Sequence, residues 1–287
     1  ANYGDVFAVT GASAGMLAFV KGYASINRCV NYGNIVNRAG LAAGILGSGS
    51  DKADTTAMHI DSAKNFGRGI LAKQIIIPAG ETREYVLLNE ANVDYHFVQQ
   101  QGSSLRVHLI YLSDSALADE QCHSSIVVDQ DATGCRTELY GMGLLHGTQR
   151  AHVLTRVNHN IGGGYSSQLF KFVLDDQSKG SYRGELKILP DAQQTEAYQT
   201  NRNILLSRQA EMLTEPQLEI YADDVKASHG ATTGQLDESA LFYMQQRCID
   251  RDTAAKLLLC AFFDEVLKTL SDAQLQEELV NKINTIL

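Results

Sequence analysis

The sequence predicts a mainly β protein that ends in a helical module, and three observations carry that prediction. From about residue 66, apolar and polar residues alternate for about 150 residues, which is the period of a strand. The chain contains only three prolines, which favours long, regularly paired sheets. After Gly234 the apolar residues take up helical spacing.

Residues 1–65 read as a Gly- and Asn-rich N-terminal segment with a linker, and they point to no definite fold. Cys29-Val-Asn-Tyr-Gly-Asn-Ile35 leads into Gly40-Leu-Ala-Ala-Gly-Ile-Leu-Gly47, short apolar pieces separated by turn residues, as short solenoid rungs would be. Gly47-Ser-Gly-Ser-Asp51 has linker composition.

Residues 66–236 form the β core. Leu105, Val107, Leu109 and Tyr111 fall on one face of a strand, while Arg106, His108 and Ile110 fall on the other, so the strand reads as half-buried. The alternation recurs at Thr137–Tyr140, Val153–Val157, Glu185–Leu189 and Gln217–Tyr221. A sandwich and a β-helix both permit this spacing.

Residues 237–287 read as a helical docking module. Asp237 caps a helix through Leu241, Phe242 and Met244, and Asp250 or Asp252 caps a second carrying Ala255, Leu258, Leu259, Phe262, Val266 and Leu270. Ser271 with Gln274 has the spacing of a capping box for a third helix. Such helices would either plug the open end of a solenoid or present a face to a partner.

Bulk properties exclude several functions. A net charge of −9 and a pI near 5.3 argue against nucleic acid as a partner. Five cysteines without a CxxC suggest neither a disulfide framework nor a zinc ribbon, so a reducing, cytoplasmic setting is expected. Leu257–Phe263 and the other apolar runs fall far short of the roughly 20 residues that cross a bilayer, so no membrane partner is expected. The chain begins at Ala1 without a methionine, as a fragment or a processed product would.

No catalytic constellation stands out. Asp223 and Asp224 are adjacent, and on a strand they would point to opposite faces, which suits no acid–base pair. Gly162-Gly-Gly164 lacks the Lys-Ser/Thr of a phosphate loop, and Ser207 and Ser228 have no identifiable His–acid partners beyond His229. His108, His123, His146, His152 and His159 would form a ligand set only if successive rungs aligned them, and their irregular spacing favours scattered surface positions. Cys248 and Cys260 fall on expected helices, where a thiol is usually buried and inert.

One stretch is more specific. Pro190–Ser207, Pro216–Lys226 and Ser228–Glu238 run in order, flanked by Ser167–Lys171, Leu174–Asp176 and Gly184 upstream and by Leu241–Tyr243, Arg247 and Ala261–Val266 downstream. This run resembles the SufD family of iron–sulfur cluster assembly subunits, and a looser likeness extends over about residues 66–287 and to the related SufB. The resemblance implies a right-handed parallel β-helix with a C-terminal α-helical module. It implies a non-catalytic scaffold subunit that works in a complex with SufB and the ATPase SufC, with a homodimer as the state open to the isolated chain. Residues 1–50 look unlike that family's usual helical N-terminus.

His229, in Lys226-Ala-Ser-His-Gly230, matches by position the SufD histidine that faces SufB, so the resemblance makes it a metal ligand. An imidazole is a suitable borderline ligand for iron, and Gly230 allows close approach of another backbone. A histidine hydrogen-bonded within the fold is the plainer reading of the same residue. Many SufD sequences carry Cys where Ala227 stands, so thiolate ligands would have to come from the partner. No cofactor is expected to stay bound to the isolated chain; a cluster is expected at the interface with SufB. The competing expectations are a β-solenoid polysaccharide lyase or hydrolase, which needs a groove lined by several carboxylates, and a purely structural solenoid.

Overall fold

The computed structural model describes residues 73–90, 93–112 and 121–287, together with short strand pieces before them. Those pieces are β1 (Val6–Ala8), β2 (Ala12–Ala14), β3 (Ser25–Asn27), β4 (Val30–Asn31), β5 (Ile35–Asn37), β6 (Leu41–Ala43), β7 (His59–Asp61) and β8 (Lys64–Asn65). They pair in parallel, β1 with β5, β2 with β6, β3 with β7 and β4 with β8. The linker expected at Gly47–Asp51 lies outside the described residues.

Twelve longer strands follow: β9 (Lys73–Ile77), β10 (Thr82–Leu88), β11 (Val93–Gln99), β12 (Ser104–Leu112), β13 (Gln121–Gln130), β14 (Arg136–Leu145), β15 (Arg150–His159), β16 (Tyr165–Leu174), β17 (Lys179–Ile188), β18 (Thr195–Leu205), β19 (Glu211–Ile220) and β20 (Val225–Gly234). They alternate between two six-stranded sheets, ordered β10-β12-β14-β16-β18-β20 and β9-β11-β13-β15-β17-β19. Every pairing is parallel. Thr82 lies beside Ser104, Gln121 beside Arg150 and Ser104 beside Arg136, so a rung takes from 22 residues at the start to 29 and 32 further on. This is a parallel β-solenoid, and it resolves the choice between sandwich and β-helix: sandwich strands pair antiparallel, whereas these repeat one rung at a time in the same direction.

Inward side chains of both sheets form one core, with Phe97, Val107, Leu139, Phe170, Phe172, Val157 and Leu186 at its centre. Gly102, Gly134 and Gly163 recur at one corner, at φ +66°, +71° and +73°, a left-handed turn that glycine adopts freely. Gly162-Gly-Gly164 is therefore a corner of the coil. Asp223 and Asp224 lie in the turn before β20 rather than on a strand.

The two sheets differ on their outer faces. On the odd-numbered side β13, β15 and β17 alternate in burial, because their outer side chains meet water. Arg156 and Arg183 reach Glu185 there at 2.5 and 2.8 Å. On the even-numbered side β12, β14 and β16 are buried on both faces along much of their length. Their outer residues Ile110, Leu112, Met142, Leu144 and Val173 pack against helices.

Those helices are α1 (Glu238–Gln245), α2 (Arg251–Leu267) and α3 (Ala273–Ile286). Leu259, Phe263, Val266 and Leu267 of α2, with Leu275, Leu279 and Ile283 of α3, lie over the even-stranded sheet. The module thus covers the side of the solenoid and leaves its end open. Polar contacts fix the seat: buried Lys171 donates to Phe262 O at 2.7 Å and pairs with Glu265 at 2.6 Å, while Arg106 donates to Thr269 O at 3.3 Å.

Asp237 and Asp250 cap α1 and α2 as expected. The third cap is Asp272, whose carboxylate accepts from Gln274 N and Leu275 N, and not Ser271. The backbone N–H of Ser271 donates instead to Glu84 Oε1 at 3.3 Å, tying the α2–α3 turn to the sheet.

Candidate functional site

The solenoid ends at β19 and β20, each the last strand of its sheet. Among the described residues no strand lies beside their outer backbone edges, which leaves donors and acceptors in position for another chain. Leu213, Ile220 and Tyr221 at this end are large apolar side chains left exposed.

His229 sits on β20, and the register fixes its direction. It is the partner of Gln199 on β18, which is the partner of Gln168 on β16. Gln168 pairs in turn with Leu139, and Leu139 with Val107. All five belong to the inward face, and His229 is exposed because no further rung covers it. Ala227 shares this face, in register with Ala197. Sequence reasoning did not single out Gln168 and Gln199. A rung length of about 30 residues, once known, would have placed them one and two rungs before His229.

The column below His229 is hydrogen-bonded. Thr155 Oγ1 donates to Gln168 Oε1 at 2.6 Å, and Tyr182 Oη donates to the same oxygen at 3.1 Å. Gln199 Nε2 donates to Tyr182 Oη at 3.1 Å. Burial pushes the Tyr182 hydroxyl up to about 12, so it stays protonated. Gly184 leaves the space that the Gln199 amide fills, since a Cβ there would lie 1.5 Å from Nε2. Alongside, Asn201 accepts from Thr214 Oγ1 at 2.7 Å and Asn203 Nδ2 donates to Thr233 Oγ1 at 3.2 Å.

The other histidines separate. His123 and His152 are register partners and stack at 4.8 Å on the outer face of the odd-stranded sheet. His108 is buried beneath the helices, where Nε2 meets Thr269 Oγ1 at 2.9 Å. His159 is buried in the core against Ser166 at 2.8 Å. No group of three or more His, Cys, Asp or Glu side chains converges as a metal site among the described residues. Cys260 is half-buried beside Asn284, whereas Cys248 is exposed in the α1–α2 turn at φ +63°, contrary to the expectation of a buried thiol.

The family description "SUF system FeS cluster assembly, SufBD core domain" matches residues 69–262, which takes in β9 to β20, α1 and the greater part of α2. The chain belongs to the SufBD family. The Escherichia coli iron–sulfur cluster assembly protein SufD is 38% identical over 129 residues, 45% of this chain and 30% of the relative. A Synechocystis SufBD family protein is 34% identical over 179 residues, 62% of this chain and 39% of the relative. The chloroplastic protein ABCI7 of Arabidopsis thaliana is 30% identical over 198 residues, 69% of this chain and 41% of the relative. The chain thus spans well under half the length of these relatives. No helix among the described residues is long and apolar enough to cross a membrane.

Proposed function

We propose that this chain is a SufD-like, non-catalytic scaffold subunit for iron–sulfur cluster assembly, acting with SufB and the ATPase SufC. The observation that carries the reading is the position of His229, an imidazole on the interior face of the last, uncovered strand of a SufBD core. A partner that adds a strand to β20 would bring its own ligands beside that ring. Soft thiolate ligands would come from SufB, since Ala227 supplies none. Exposed Phe242, Tyr243 and Leu257 on α1 and α2 offer a face for SufC. In isolation, the β19–β20 edge is expected to pair with a second copy.

A polysaccharide lyase or hydrolase draws no support. Glu138 is clasped by Arg106 and Arg136 at 2.8 and 2.7 Å, and Glu185 by two arginines, so these strand carboxylates serve as ion-pair partners. Co-expression with SufB and SufC should yield a stable complex, and a chain that stays apart from both would refute the reading. His229→Ala should leave that complex intact and lower the yield of cluster, read from its absorption after anaerobic iron and sulfide supply. Equal yields would remove His229 from the ligand set.

A further inference from the structure

Gln199 has one polar atom without a use. Its Nε2 is committed to Tyr182 Oη, and Tyr182 is turned toward Gln168 by its own donation. The amide is thereby oriented, and Oε1 is buried without a hydrogen-bond partner. A buried acceptor in that state is costly, so a donor beside it is favoured; its neighbours in register are Gln168 on the inner side, whose Nε2 also lacks a partner, and His229 on the outer side. The side chain above it on the same face is His229, one strand away in register.

We propose that Gln199 is a positioning residue for His229: its Oε1 accepts the imidazole Nδ1–H and holds the ring in the tautomer whose Nε2 lone pair faces out of the open end. Nδ1 is the ring nitrogen nearer the strand, and rotation about the Cβ–Cγ bond turns it toward the neighbouring chain. Metal-binding histidines generally use one nitrogen for the metal and fix the other by such an outer hydrogen bond. Thr155, Gln168, Tyr182 and Gln199 then form a chain of oriented hydrogen bonds that starts in the core and ends on the ring. Its purpose rests on the reading of His229 as a ligand; the hydrogen bond itself does not.

The test is the tautomer of His229 in the full chain without metal, read from the ring ¹⁵N shifts and long-range couplings at a pH of about 8.5, about two units above the reference value of imidazole. The Nδ1–H form should dominate. Gln199→Leu should shift the tautomer ratio toward Nε2–H by roughly 2- to 10-fold, the range that one hydrogen bond spans. Gln199→Glu, which keeps an acceptor, should retain the Nδ1–H excess. Tyr182→Phe keeps the packing but releases the amide, so it should lower the excess, and it carries the test if the leucine variant fails to fold. A dominant Nε2–H form in the parent chain, or a ratio indifferent to these substitutions, would overturn the proposal. If the ratio shifts while His229→Ala leaves cluster yield unchanged, the hydrogen bond stands and the ligand role falls.

Discussion

Midway along the solenoid the space between the sheets holds Leu139, Phe170 and Phe172, whereas one strand beyond β16 the same columns hold Gln199, Asn201 and Asn203. At β20 the column ends in His229. The backbone is the same in both regions, a parallel ladder with inward residues at every second position. Burial differs little between Phe170 and Asn201, at 0% and 1% exposed. What differs is how these columns are satisfied: dispersion and ring stacking in the middle, donor–acceptor pairs toward the end. A solenoid core tolerates polar residues where neighbouring rungs close their hydrogen bonds. The polar stretch lies next to the uncovered rung, where an apolar column would leave more hydrophobic surface facing water.

The comparison breaks most severely if the apolar half is hollowed. Phe170 stacks on Tyr182 at 4.7 Å, and its ring occupies the room left by Gly141, its register partner. A Cβ on Gly141 would lie 2.1 Å from that ring. Phe170→Ala should lower unfolding free energy by about 3–5 kcal/mol, and Gly141→Ala by about 1–3 kcal/mol through overpacking. The double variant should cost less than the two together, because the new methyl then meets empty space. Denaturant unfolding of the four proteins measures the coupling, and simple additivity would disprove the ring-in-glycine packing.

A titratable group buried beside the apolar region sharpens the contrast. Burial pushes the imidazole of His159 down to about 4, so it is neutral when folded, while in the unfolded chain it takes up a proton near pH 6.5. The unfolded state therefore binds more protons between those values. The contribution is complete above about pH 6.5 and is lost as pH falls toward 4, at up to about 1.4 kcal/mol per pH unit. His108, pushed down to about 3 by burial and the nearby Arg106, adds in the same direction. His159→Gln should flatten the dependence of unfolding free energy on pH between 6.5 and 5, and an unchanged slope would show that another group sets it.

Legibility in the sequence followed what each side chain meets. The odd-numbered strands could be read directly because Arg156, Arg183 and Glu185 face water and keep the alternation clean. On the even-numbered strands Ile110, Met142, Leu144 and Val173 face outward yet are buried, since α2 and α3 lie on them. Alternation reports how often residues turn, not what covers them, so the seat of the helices was hidden and the strand at Leu105–Tyr111 read as half-buried. His229 was reachable through a resemblance. Its neighbour Gln199 was not, because the column exists only once rungs are stacked in register.

The smallest effect tests the helical module, at the place where local sequence reasoning chose the wrong residue. Ser271 and Gln274 have capping-box spacing, yet Asp272 takes the cap with its carboxylate on Gln274 N and Leu275 N at 2.9 and 3.2 Å. The reason is tertiary: the Ser271 N–H is drawn to Glu84, one position before the helix can start. Asp272→Ala should therefore cost about 0.5–2 kcal/mol, since two amides at the start of α3 lose their acceptor. Ser271→Ala should cost almost nothing, because the bond to Glu84 comes from its backbone. Paired thermal unfolding of the two variants decides between the caps: equal losses, or a larger loss at Ser271, would mean that the hydroxyl rather than the carboxylate starts the helix.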